Sequence, residues 1–442
     1  MRRYLPLLVL IACGDNTADT GGARSGSRLK LVWYEYSDGT RQLERGWYFD
    51  DERGERCTPV RWSDGSRYCT PDAGDAVYVD DTCATALGRV PSGTSPAPYF
   101  VRYYHVRGEP FPSRVARLGA VTTAPQNVWE LRDGNCSGPA TVDSGYDYYS
   151  LGEVLTSEAF VKVKRSEPVG DDRLALVFDT SDDGLRVAAA IFDREVRQDC
   201  VIDDRAGAKA IECVAGDSVI AGYFHDPECT QLEIVTTELE IPPRSRHYSP
   251  QTSCWSYYTI GSSTSAPPLY QRAGNSCQEI LDPGNARFFL AGEMVEMPVL
   301  ERQVEPTERR LARIDRVHGT LRIDDPLLRD TELATDCERR DDGGDIRCVP
   351  ATTVQVVPVF ADVGCQTIVD VALVPSGTCD PPASFATKGA AFHPVLDAYT
   401  MPVYELTTGE QCREYTPPVP MVIHAIGGPV APSEFVTAQR VL

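Results

Sequence analysis

The order of apolar and polar positions along the chain is that of short β-strands. Leu31-Val32-Trp33-Tyr34-Glu35-Tyr36 runs into Ser37-Asp38-Gly39, and Leu174-Ala175-Leu176-Val177-Phe178 leads to Asp182-Asp183-Gly184. Runs of this kind, rich in Tyr, Val, Phe and Trp and closed by Asp-Gly, suit a half-buried pleat and a tight hairpin turn. No stretch carries the 3.6-residue apolar period of an amphipathic helix. The expected class is all-β.

The pattern returns. Val77-Tyr78-Val79-Asp80-Asp81-Thr82-Cys83 is echoed by Tyr223-Phe224-His225-Asp226-Pro227-Glu228-Cys229 and by Val359-Phe360-Ala361-Asp362-Val363-Gly364-Cys365. An aromatic lies five residues before each cysteine and an Asp three before it. A second Asp (Asp50, Asp193, Asp330) stands seven residues before Cys57, Cys200 and Cys337. Later, Val128-Trp129-Glu130-Leu131, Leu269-Tyr270-Gln271-Arg272 and Val403-Tyr404-Glu405-Leu406 lead to Cys136, Cys277 and Cys412. The period is about 140 residues, which predicts three β repeat units over 28–172, 173–310 and 311–442. Acidic or glycine turns inside them recur every 46 residues or so, about four short strands apart, the size of one propeller blade. A single β-propeller is the favoured arrangement; tandem β-trefoil or β-sandwich domains are the alternative.

Composition narrows the class of partner. Acidic residues outnumber basic ones 64 to 43, for a formal net charge of −21. Such a surface repels nucleic acid, which is set aside as a partner. Fifteen cysteines with no zinc-type Cys-x-x-Cys pair read as disulfides and an oxidising compartment. Spacing pairs Cys57 with Cys69, Cys200 with Cys213 and Cys337 with Cys348. For the last, a hairpin about Asp342-Gly343 sets Cys337 opposite Cys348, Arg340 opposite Asp345 and Glu338 opposite Arg347. Cys83, Cys136, Cys229, Cys254, Cys277, Cys365, Cys379 and Cys412 are left without assigned partners.

The N-terminus adds a membrane. Arg2 and Arg3 precede a short apolar run that ends in Leu10-Ile11-Ala12-Cys13, too short to span a bilayer. Here the chain resembles bacterial lipoprotein precursors. The resemblance implies a signal peptide over 1–12 and lipidation of Cys13; the Gly-, Ser-, Thr- and Asp-rich residues that follow have no apolar period, so 13–27 reads as the lipidated Cys and a flexible tether. The resemblance further implies an exported chain held to the bacterial cell envelope, at the outer membrane, by a lipid anchor.

Gly46-Trp47-Tyr48-Phe49-Asp50-Asp51-Glu52, Arg67-Tyr68-Cys69-Thr70-Pro71 and the Asp80-x-x-Cys83 turn are similar to those of uncharacterised, cysteine-rich repeat lipoproteins of the myxobacterial type. The resemblance implies localisation and repeats. It carries no activity.

Candidate chemistry is sparse. His105, His225, His247, His318, His393 and His424 are scattered outside any metal-ligand spacing, so neither a metal nor a cofactor is expected. No Gly-x-Ser-x-Gly elbow or phosphate-cradling loop occurs. The acidic runs at Asp80-Asp81, Asp179–Gly184 and Asp341-Asp342-Gly343 suit tight turns, with calcium ligation as the alternative. One ring of Tyr103-Tyr104 or Tyr148-Tyr149 is expected to face outward, where it can stack on sugar or protein. No catalytic residue stands out. The expected function is a non-enzymatic, lipid-anchored envelope protein that presents a disulfide-stapled β scaffold to a protein or glycan. An extracellular hydrolase with acidic residues at a propeller mouth and a purely structural envelope component are the alternatives.

Overall fold

The computed structural model describes residues 22–442 apart from 97, 107–108, 133–134, 143, 203–209, 216–218, 221, 237–243, 250–253, 265–267, 274–275, 281–286, 378, 380–382, 408–410 and 419. Cys13 lies outside the described residues. Among them there are strands and two single 3₁₀ turns but no α-helix, as the alternating pattern requires.

The chain runs three times through the same course. Each time it lays down four antiparallel strands, leaves for a separate sheet and returns for one more strand. The first course is Leu29–Tyr36, Arg41–Asp50, Glu55–Arg61 and Arg67–Pro71, returning as Val163–Arg165. The second is Leu174–Ser181, Arg186–Asp193, Gln198–Ile202 and Ala210–Ala215, returning as Val299–Val304. The third is Leu311–His318, Leu321–Asp330, Thr335–Asp342 and Asp345–Pro350, returning as Thr437–Val441. Each return strand pairs with the first strand of the next course, so these fifteen strands form one sheet. A bridge between Tyr68 and Lys162, and the Cys69 N–H donating to the Val161 carbonyl at 2.9 Å, join its two ends into a ring. Closure leaves no free edge.

This topology corrects the propeller expectation. Propeller blades are separate four-stranded sheets. Here hydrogen bonding continues across every course boundary, and the excursions form three further sheets of seven, eight and seven strands.

The ring core is shared between courses. The first strand of each course shifts register against the second after Leu31, Val177 and Arg313. The shift breaks the alternation, so two consecutive residues are buried at each place: Leu31 and Val32, Val177 and Phe178, Ile314 and Asp315. One half of the strand can then face one cluster and the other half the next. Leu29, Leu31 and Tyr48 pack with Leu185 and Val187 of the second course. Tyr34 and Tyr36 pack with Leu311 and Leu328 of the third. Leu174 and Ile191 pack with Leu321 and Ile323. Each such Leu or Ile contributes roughly 1.5–3 kcal/mol by burial.

The Asp before each first turn cysteine is an ion-pair anchor. Asp50, Asp193 and Asp330 are each at most 2% exposed. They receive two-pronged hydrogen bonds from Arg28, Arg173 and Arg310, the last two pairs with Nη2–Oδ2 at 2.9 Å. The same arginines reach Glu52, Glu195 and Glu332 two residues on. Each fork ties the start of a course to the end of its second strand.

Seven disulfides staple the frame. In the ring, Cys57–Cys69, Cys200–Cys213 and Cys337–Cys348 have Cα separations of 5.1, 4.9 and 5.2 Å. All three cross diagonally rather than between facing residues, which corrects the third-course hairpin. Asp342 faces Asp345, Arg340 faces Arg347, Cys337 faces Pro350 and Arg339 faces Cys348. The loop is Gly343-Gly344, with φ of 67° and 96°. A two-residue turn with both central residues at positive φ takes two glycines more readily than Asp-Gly; the turn moves on by one residue and each facing partner by two. Arg340 and Arg347 then pair along their own strands, with Glu338 and Asp345.

The three excursion sheets rest on the ring through aromatic clusters: Trp62 with Phe160 in the first, Tyr257 with Met297 in the second, Phe392 with Phe435 in the third. Each is closed by its own disulfide, Cys83–Cys136, Cys229–Cys277 and Cys365–Cys412. A seventh bond, Cys254–Cys379, links the second excursion to the third.

Candidate functional site

The most tempting residues of the sequence prove to be turn builders. The side chain of Asp80 accepts the N–H groups of Thr82, Ala84 and Thr85, the last at 2.6 Å. Asp226 and Asp362 accept those of Gln231 and Thr367, also at 2.6 Å. This wrap holds Cys83, Cys229 and Cys365 at φ of 52–54°, a conformation non-glycine residues rarely adopt, and aims each sulfur at its partner. The Thr82 hydroxyl and then the backbone donors hold the Asp80 carboxyl well below the usual range, and the Thr367 N–H lowers that of Asp362. In the second run Asp179 accepts from the Tyr48 hydroxyl at 3.1 Å and pairs with Arg67 at 2.6 Å. Asp341 accepts the Gly344 N–H. These oxygens are spent on turns and junctions.

Ionisable chemistry enters where one course departs from the other two. The first residue pair after the register shift is Trp33 with Leu43 in the first course and Phe178 with Ala188 in the second. In the third it is Asp315 with Asp324. Asp315 is 1% exposed, and Gln303 faces it on the adjoining return strand. Burial, and then the charge of Asp324, push the Asp315 carboxyl up to about 6. Arg322 stands 3.2 Å from it, and Asp324 is held by Arg313 at 2.6 Å. Beside this row opens a cleft of about 370 Å³ lined by Gln303, Val304, Glu305, Pro306 and Arg322. A carboxyl poised near neutrality beside a cleft can exchange a proton with a bound molecule.

A second departure lies in the excursion of the second course. Val79 and Leu87 of the first, and Ala361 and Val369 of the third, are replaced there by His225 and Glu233. Glu233 is fully buried, with the Thr264 hydroxyl at 2.6 Å and His225 Nδ1 at 3.0 Å. With Nδ1 donating to the carboxylate, Nε2 of the half-exposed ring is left as its acceptor. Comparing the aligned repeats position by position is the signal that would have found both pairs. Of the other histidines, His318, His393 and His424 use Nδ1 on backbone carbonyls, and the His247 ring meets Phe224 edge-on. The His105, Tyr103 and Tyr104 side chains lie outside the described residues. Tyr148 is buried and Tyr149 stacks on Phe100.

A family model matches residues 7–435, almost the whole chain. The chain belongs to a family of unknown function, DUF7481. No curated protein and no solved structure matches it. The seven disulfides of this DUF7481 chain fit an exported, disulfide-stabilised β scaffold. Among its described residues no helix is long and apolar enough to cross a membrane.

Proposed function

We propose that this DUF7481 chain is an envelope protein, lipidated at Cys13, whose three β repeat units present a stapled scaffold that binds a protein or glycan. The observation that carries the reading is the Cys254–Cys379 bond. It ties together two excursion sheets that are already closed individually, so the surface across them is ordered before a partner arrives and less entropy is lost on binding. The anchor rests on the Leu10-Ile11-Ala12-Cys13 motif. Wild type is expected in the detergent phase with a mass gain at Cys13, and Cys13→Ala in the aqueous phase; aqueous wild type would remove the anchor. Immobilised full-length protein should retain a partner from envelope extracts.

The hydrolytic reading has one observation in its favour, the raised Asp315 carboxyl beside the Glu305 cleft. Turnover of a polysaccharide panel, abolished by Asp315→Asn and unaccompanied by retention of any partner, would replace the binding reading with it.

A further inference from the structure

The hairpin of Arg244–Ser249 and Cys254–Ser263, in the excursion of the second course, carries a group of donors that the fold does not use. Tyr248 faces Trp255 across the two strands, and Arg246 lies two residues before Tyr248, on the same face. The two rings are 5.2 Å apart at their centroids and tilted by 54°, and the Arg246 guanidinium lies 4.6 Å over Trp255. Tyr248 is 39% exposed. Among the described residues, the Arg246 guanidinium has no carboxylate or hydrogen-bond acceptor. The Tyr248 hydroxyl and the Trp255 ring N–H likewise have no hydrogen-bond partner. The Arg246 Nε is buried and has no hydrogen-bond partner among the described residues, which costs stability.

The platform is rigid. Trp255 packs at its base on Val214, Tyr257 and Met297. The adjacent Cys254 is bonded to Cys379 of the third excursion.

We propose that this face is a binding site for an anionic glycan. The exposed Tyr248 ring takes the apolar face of a sugar, Arg246, held over the Trp255 ring, takes the carboxylate or sulfate, and the Tyr248 hydroxyl and Trp255 ring N–H take sugar hydroxyls. Charge complementarity favours an acidic sugar over a neutral one at Arg246, which has no acidic partner among the described residues. The proposal rests on the binding reading above and gives it a ligand class.

Full-length protein is titrated calorimetrically with polygalacturonate, dextran sulfate and neutral dextran. Binding of at least one polyanion, and at least about tenfold weaker binding of dextran, is expected; polygalacturonate against dextran sulfate tells carboxylate from sulfate. Trp255→Ala and Arg246→Gln should each weaken polyanion binding about tenfold, and Tyr248→Phe, which keeps the ring, less. Unchanged thermal melts show that the variants are folded; a variant that fails to melt cooperatively is replaced by Arg246→Lys, which keeps the charge and loses the fork. Equal binding of dextran, no binding of either polyanion, or variants that bind like wild type overturn the site. Retention of an envelope partner that survives Trp255→Ala overturns this site and leaves the scaffold reading standing.

Discussion

Asp183 accepts the backbone N–H of Leu29 at 2.6 Å across 154 residues of chain. The same oxygen takes the Arg28 N–H at 2.8 Å, so one turn of the second course caps the start of the first. Asp38 does this for Leu311 at 2.7 Å, closing the first course onto the third. At the remaining junction the polarity is reversed: Thr320 donates to Asp172 at 3.3 Å. The ring is closed by turns that serve as caps for their neighbours.

Asp183→Ala should therefore loosen a junction far from position 183. Two donors lose their acceptor, at a cost of roughly 1–3 kcal/mol for the buried Leu29 N–H. The measurement is the urea midpoint. Burial pushes the Asp183 carboxyl up, but the Ser181 hydroxyl and the Leu29 and Arg28 N–H groups outweigh it and hold it below the usual range. A lowered folded value means stability present above the unfolded value and lost as pH falls through the folded one. Wild type and variant should converge in acid, as pH falls below the usual carboxylate range.

Asp330→Ala should cost more. It leaves the Arg310 guanidinium, 19% exposed, without the fully buried partner that fixes it. Removing one side of a buried pair costs about 3–5 kcal/mol, whereas Arg310→Met with Asp330→Leu should recover much of it. Denaturant titration of the single and double variants separates the two.

Asp315→Asn is expected to stabilise. The Asp315 carboxyl titrates at about 6 in the folded chain, above its unfolded value, so its contribution is full below about pH 4 and lost as pH rises through 6. Thermal melts should show the variant above wild type at pH 7.5 and level with it at pH 4. A wild type that gains stability between pH 4 and 6 at this site, measured against the variant, would contradict the burial.

Loss of Cys254–Cys379 should be felt through the unfolded chain. The bond closes 125 residues, for which chain entropy gives about 4–5 kcal/mol. Cys254→Ser with Cys379→Ser should lower the urea midpoint accordingly, and non-reducing peptide mapping of wild type should recover the linked peptide.

Strand class, the threefold recurrence of Asp-x-x-Cys and the cysteine spacing are local properties, legible in the order of residues alone. Alternation with Asp-Gly turns permits only short strands, and Cys337 and Cys348 are too close in the chain to meet except across a hairpin. What the tertiary structure alone decided is everything that depends on which strand lies beside which. Val163–Arg165 pairs with Leu174–Ser181 because the ring must close, and nothing local distinguishes that pairing from closure of a blade. Arg28, Arg173 and Arg310 recur with the period, each directly before a leucine (Leu29, Leu174, Leu311), but the order of residues does not say what they meet; the fold brings each against a buried Asp. Arg246 reads as one more surface charge until the fold sets it over Trp255 with no carboxylate partner among the described residues. Side-chain alternation is written in the chain, but a register shift of one residue redirects every side chain beyond it, and that shift is set by packing across the ring.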